Sequence, residues 1–355
     1  MKIFMPLVGQ FTNIGDTLHR SVLVDWLKDL GELHIFIGSA PQSFMTGLYL
    51  PSGVVIYKSF PKWIFAAVCA AGYSSFFYNP GEITGSKKRF LKEVVIFPVL
   101  LLYRILGRKV LKVGVDVQQN GGVNDILFRV SNIFTSYSFY RTRESFCRFG
   151  RGEVIPDLGF YKYTDTARQV GGRSYISVSM RADKFIPSNI FVGAVVEFAK
   201  ANGLAVALVS QVRMDNSSCR ELSVMFKDAG CEVAEFLWSD RVVHAEQEAI
   251  VNEVYQKSFM VVSDRLHVLI AASNHGAIPI CISSYLSDKV EKHFSVIDYG
   301  GLVYDFTRTT HRDLVSFMSH AAKRGDELNV KMSIARSKLR AVKGKVFELL
   351  VGRNA

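Results

Sequence analysis

The chain has 355 residues, more than one ordinary core accommodates, which predicts two domains of roughly 150–200 residues each. Half-hydrophobic composition (49%), 21% charge and few prolines fit a globular protein, and a mean hydropathy of +0.17 requires that much of it be buried. The net charge of +11 favours anionic partners, but without zinc-finger spacing, a basic zipper or an aromatic RNA-binding signature it does not point to nucleic acid.

In chain order, Lys2–Val8 reads as a first buried strand rather than a signal peptide, because polar residues and no small-residue cleavage site follow it. Thr17–Leu30 has a helical period, with Leu18, Val22, Trp26 and Leu30 on one face, and Gly31 stops it. Leu33–Ile37 and Val54–Tyr57 are strands, Lys62–Ala71 a helix, and Ser75–Tyr78 a strand closed by Asn79-Pro80-Gly81. Lys87–Leu106 is a longer helical stretch that Pro98 should kink or divide. Its apolar run from Val94 to Tyr103 is too short for a span of about 20 residues. We read it as a buried helix, the alternative being contact with a membrane surface. Val110–Val117 and Ser136–Tyr140 are further strands.

A polar, aperiodic stretch from Tyr163 to Arg173 marks the expected domain boundary, giving domains 1–165 and 166–355. Strands at Tyr175–Met180, Ala205–Ser210, Glu232–Leu237, Phe259–Val262 and Ile278–Ile282 then alternate with helices at Ile190–Asn202, Arg220–Ala229, Ala245–Gln256 and Leu266–His275. Such alternation predicts an α/β protein of two Rossmann-like, doubly wound domains facing a cleft, with ligands outside the carboxyl ends of the strands. From His311 the tail is helical and basic, either a solvated face or a dock for anionic lipid. Five scattered cysteines with no C-x-x-C pair indicate neither zinc nor disulfides, and fit a reducing cytoplasm.

Five polar clusters follow strands. The first is Gly9–Thr17, containing Asn13, Gly15 and Asp16, either a simple helix cap or an anion site at a helix start. The second is Gln118–Gly122, a turn. The third is Arg141-Thr142-Arg143-Glu144-Ser145 with Pro156-Asp157 downstream. The fourth is the strand Ser177–Met180 ending in Arg181, a surface ion pair or a guanidinium aimed at a ligand. The fifth, Ser263-Asp264-Arg265-Leu266-His267, is the strongest. Asp264 can cap the helix that begins there, but Arg265 and His267 put positive charge at a helix N-terminus, unfavourable by roughly 0.3–1 kcal/mol each. An anionic ligand would reverse that sign; a core histidine and an exposed arginine are the bland reading.

Asn13-Ile14-Gly15-Asp16, the Arg143–Ser145 segment with Asp157, Arg181, and S-D-R-L-H at 263–267 followed by Ala-Ala-x-x-x-Gly-x-Pro together resemble the polysaccharide pyruvyl transferase family. The resemblance implies two Rossmann-like domains arranged as in GT-B glycosyltransferases. It implies transfer of a pyruvyl group from phosphoenolpyruvate to a hexose of a cell-surface glycan or its lipid-linked precursor, forming a ketal. Arg181, Arg265, Leu266 and His267 would line the donor site, with Lys289 adding a phosphate contact and Asn13, Gly15, Arg143 and Asp157 completing the substrate shell. His267 would act as general acid, Arg265 would stabilise departing phosphate, and Asp16 or Asp157 would orient the acceptor hydroxyl. No metal or cofactor is required, and the expected place is the cytoplasm, at most peripheral on the inner face of an anionic membrane. The alternatives are a GT-B glycosyltransferase using a nucleotide sugar, or a non-enzymatic scaffold of glycan assembly.

Overall fold

The computed structural model describes residues 1–83, 87–118, 123–162, 172–283, 288–306 and 310–352. Residues 163–171 of the expected boundary loop and 119–122 of the Gln118–Gly122 turn lie outside the described residues. The chain forms two compact units that are interleaved in sequence: unit 1 is 1–11, 19–158 and 337–355, and unit 2 is 12–18 and 159–336. The last turns of the basic tail, expected in the second domain, thus belong to unit 1.

Unit 1 contains strands β1 (Lys2–Pro6), β2 (Glu32–Phe36), β3 (Val55–Tyr57), β4 (Ser74–Phe77), β5 (Gly81–Ile83), β6 (Val110–Val117), β7 (Tyr137–Tyr140) and β8 (Glu153–Val154). Their order is β3-β2-β1-β4-β6-β7-β8, with β5 also on β6, and all pairings are parallel. Around them lie α1 (Ile14–Leu27), whose first residues belong to unit 2, α2 (Gln42–Thr46), α3 (Phe60–Cys69), α4 (Lys87–Ile105), α5 (Val123–Phe134) and α6 (Arg143–Phe149). The near-continuous apolar runs of β1, β2 and β6 are those of strands covered on both faces. Trp63 of α3 is fully buried among Phe4, Phe36 and Phe76, and its indole N–H donates to the carbonyl of His34 at 3.1 Å. Pro98 does not divide α4, which runs unbroken through it.

Unit 2 contains β9 (Tyr175–Ser179), α7 (Asn189–Ala201), β10 (Ala205–Val209), α8 (Asn216–Asp228), β11 (Val233–Phe236), α9 (His244–Gln256), β12 (Ser258–Ser263), α10 (Leu266–Asn274), β13 (Ile278–Ser283), α11 (Lys289–Ser295), β14 (Val303–Asp305) and α12 (His311–Ala322). A last helix, α13 (Gly325–Val351), starts in unit 2 and ends in unit 1. The strand order is β11-β10-β9-β12-β13-β14, all parallel. In the unit's own count this is 3-2-1-4-5-6, the winding of dinucleotide-binding folds, and the winding reverses between β9 and β12. In folds of this winding the helices after the two central strands leave to opposite faces of the sheet, and ligands bind in the crevice at the strands' carboxyl ends. The core packs Ile176, Val178, Met260 and Val262 of the two central strands against Phe191 and Val195 of α7 and Leu314 and Met318 of α12.

Candidate functional site

β9 and β12 run side by side to the register pair Ser179–Ser263, so their outgoing loops emerge together. The Ser263 hydroxyl donates to the carbonyl of Ser179, and the Arg265 N–H donates to the Ser263 oxygen at 3.0 Å. The Arg181 N–H donates to the Asp264 carboxylate at 3.0 Å, so the aspartate ties the two loops together. Asp264 is buried, and burial pushes its carboxyl up to about 6 against the opposing pull of the Arg181 N–H and the charges of Arg265 and Arg181.

Arg265 caps α10 without capping it chemically: its side chain reaches away to Asp215, in the turn between β10 and α8. The guanidinium engages that carboxylate through both Nε and Nη2, the latter at 2.6 Å. Asp215 is fully buried and also accepts the N–H of Ala182 at 3.1 Å, while Arg265 is 13% exposed. The cation that ran against the helix dipole is therefore neutralised by the protein's own carboxylate. Arg181 forms a similar fork on Asp183, 2.9 and 2.7 Å, at the surface; that hydrogen-bonded pair holds the Asp183 carboxyl down at about 2.

The first turn of α1 belongs to this unit. Ile14 and Arg213 exchange backbone bonds with Gln211 and Thr12, joining the segment to the end of β10. Asn13 closes the turn by accepting the Gly15 N–H at 2.9 Å, and the Thr17 hydroxyl meets Nε2 of His244 at 2.7 Å. Gly15 lies against His267: a Cβ on it would sit 2.6 Å from the Cβ of His267. Because that atom is fixed to the backbone, no rotamer relieves the clash. Gly15→Ala should cost about 1–3 kcal/mol, the usual penalty of overpacking. A melting curve by circular dichroism checks it, and an unchanged midpoint would mean the two turns do not pack this tightly.

The structure thus gathers Asn13, Gly15, Asp16, Arg181, Arg265, Leu266 and His267 in unit 2, with Leu266 buried and Lys289 opening α11 further along the sheet. Arg143 and Asp157 belong to unit 1. There Arg143 is exposed at the start of α6, while its neighbour Arg141 turns inward and pairs with Asp157 at 2.8 Å, both buried. Asp116 accepts the hydroxyls of Thr142 and Ser145 beside them. Sequence reading missed Asp215 and His244. Asp215 lies a few residues after a strand end, in Ser210-Gln-Val-Arg-Met-Asp215, so the rule that singled out Ser263–His267 could have found it.

The chain matches no protein-family model, and no curated protein matches it by sequence. Its fold, however, is shared over almost the whole length with solved structures. Anabaena HepE in complex with UDP aligns with a TM-score of 0.59 at 13% identity, covering 99% of both chains. UDP-GlcNAc 2-epimerase from Methanocaldococcus jannaschii aligns at 0.55 and 12%, covering 90% of this chain and 92% of its own. MurG from Acinetobacter baumannii aligns at 0.51 and 12%, covering 98% and 100%. These comparisons overturn the polysaccharide pyruvyl transferase resemblance, and with it phosphoenolpyruvate as donor and partner and the pyruvyl transfer. The physical reason is visible in the site: short polar segments at strand-to-helix turns position side chains without fixing their chemistry, and the arginine of the longest one is met by Asp215 rather than left for an anionic donor. What the chain shares is the architecture of two parallel-sheet α/β units of GT-B type.

Proposed function

We infer that the chain is a glycosyltransferase that draws on a nucleotide-sugar donor, with a glycan or lipid-linked oligosaccharide as acceptor. The observation that carries this reading is the polar cluster at the β9/β12 winding reversal of a 3-2-1-4-5-6 sheet, where folds of this winding hold nucleotides. It is supported by neighbours of known fold that were solved with UDP or named for UDP-sugar chemistry. The β9–α7 loop carries Lys184 and Arg181, cations suited to a diphosphate, which would compete with Asp183 for the Arg181 guanidinium. In the transfer, an acceptor hydroxyl attacks the anomeric carbon, the bond from that carbon to the diphosphate oxygen breaks, and the hydroxyl proton passes to a base. His267, held by the Gly15 turn, is the assigned base, with Asp16 as its neighbour in that turn. The scheme uses no further cofactor.

Calorimetric titration and thermal melts with UDP, GDP, ADP and UDP-sugars test it. One nucleotide at a hundredfold excess over its Kd should stabilise the chain by about 2.7 kcal/mol. Arg181→Ala should weaken that binding, whereas His267→Ala should keep binding and lose turnover. If no nucleotide or nucleotide sugar shifts the melt at millimolar concentration, the reading fails. If UDP-GlcNAc is bound and epimerised without any acceptor, the transferase is replaced by an epimerase.

A further inference from the structure

Within unit 1, α3, α4 and α5 pack side by side, and α4 lies against β4 and β6. The inner stripe of α4, Ile96, Val99, Leu100 and Tyr103, is buried in the core. Tyr103 fixes the helix rotation, since its hydroxyl bonds the Ser74 hydroxyl at 2.6 Å and the Ala67 carbonyl at 3.2 Å. The opposite stripe is apolar as well: Leu91, Val94, Val95, Pro98, Leu101 and Ile105 all face solvent, Ile105 with 71% of its surface exposed. The spacing repeats every three to four residues from Leu91 to Ile105, a length of about 21 Å at 1.5 Å per residue. Phe65 and Val68 of α3 and Ile126 and Ile133 of α5 are exposed on the flanking helices. A core helix with a second apolar stripe turned to water is not what fold stability selects, and contiguous exposed apolar surface of this extent marks an interaction face.

The charges around the stripe decide its partner. The exposed charged groups among the described side chains of these three helices and the turn after α4 are Lys62, Lys92, Arg104, Arg108 and Arg129, all cationic. The acids are withdrawn: Glu93 is half-buried and accepts from the Tyr78 hydroxyl, and Asp125 is half-buried in an ion pair with Arg148. A second copy of this face would set these cations against their own kind on a chain already carrying +11. An apolar stripe with a cationic surround is the arrangement of a helix that lies in the plane of an anionic bilayer, its apolar residues about 5–10 Å into the headgroup boundary. No helix among the described residues is long and apolar enough to cross a membrane, so the contact is peripheral. We propose that the outer face of α4, flanked by α3 and α5, docks the protein on anionic phospholipid.

Flotation of the full chain with vesicles tests this, using phosphatidylcholine alone and phosphatidylcholine with about a third phosphatidylglycerol. The wild type should float with the anionic vesicles, poorly with the neutral ones, and less at high salt. Leu101→Glu with Ile105→Glu, both exposed and so compatible with folding as checked by circular dichroism, should lower anionic-vesicle binding roughly tenfold or more. Arg104→Glu with Arg108→Glu should lower it similarly. Lys338→Glu with Arg340→Glu, exposed on α13, removes as much positive charge elsewhere and should leave most binding intact. The proposal is overturned if the wild type does not prefer anionic vesicles, if the α13 pair abolishes binding while the Leu101/Ile105 pair does not, or if the Leu101/Ile105 pair instead dissolves a dimer seen by light scattering. None of these outcomes depends on which donor the enzyme uses.

Discussion

Asp215→Ala is expected to destabilise unit 2 by about 3–5 kcal/mol, the cost of leaving a buried charge without its partner. The carboxylate is fully buried and serves three donors, two from the Arg265 guanidinium and one from the N–H of Ala182. Removing it strands a guanidinium that is only 13% exposed, directly at the positive end of α10. The dipole that sequence reasoning invoked then works against the fold with nothing to offset it. Replacing both partners, Asp215→Ala with Arg265→Met, should recover a large part of the loss, because the pair's mutual attraction mostly repays its own desolvation. Urea denaturation measures the total, and amide exchange in β9 and β12 reads unit 2 separately from unit 1. If the double variant is as unstable as the two single losses added together, Asp215 and Arg265 are not a coupled pair and the site is organised differently.

The elements that were legible in the sequence are those whose burial is two-sided. β12 and α10 follow from an apolar run, a polar junction and a helical period, and the structure places them at Ser258–Ser263 and Leu266–Asn274. Val110–Val117 is the strand the sequence predicts, for the same reason. Pro98 does not divide the helix because its consequences depend on what lies beside it. It sits on the solvent stripe of α4 together with Val94, so the carbonyl it leaves without an N–H faces water rather than the core. The pairing of charges was not legible. Arg265 and Asp215 lie 50 positions apart, and only the adjacency of β10, β9 and β12 brings them together. In the third cluster the sequence pointed to Arg143, yet the strand-to-helix turn aims Arg141 inward, onto Asp157, and Arg143 out. Side-chain direction at a turn is set by one residue of register, which composition does not encode.

Asp264→Asn should have the opposite sign from the loss at Asp215. The Asp264 carboxyl titrates near 6 in the folded chain because burial penalises its charge, against an ordinary value of 3.8. Below 3.8 the group is protonated in both states and imposes no penalty. Between 3.8 and 6 the folded chain keeps a proton that the unfolded chain has lost, so stability falls as pH rises through this window. Above 6 the penalty is constant, about 3 kcal/mol at roughly 1.4 kcal/mol per pKa unit. Asparagine has the same shape and an oxygen that can still accept the Arg181 N–H. The variant should therefore match the wild type near pH 4, exceed it by about 3 kcal/mol at pH 7.5, and flatten the slope between. Denaturant midpoints across that range check it; a variant less stable than the wild type at pH 7.5 would show that the ionised form is favoured by its surroundings rather than merely tolerated. A carboxylate kept ionised at such expense, where the two central loops of unit 2 meet, is what function rather than folding retains. Under the proposed function, Asp264→Asn should accordingly lose turnover while it gains stability. A variant that gains stability and keeps full activity would assign Asp264 to loop geometry alone.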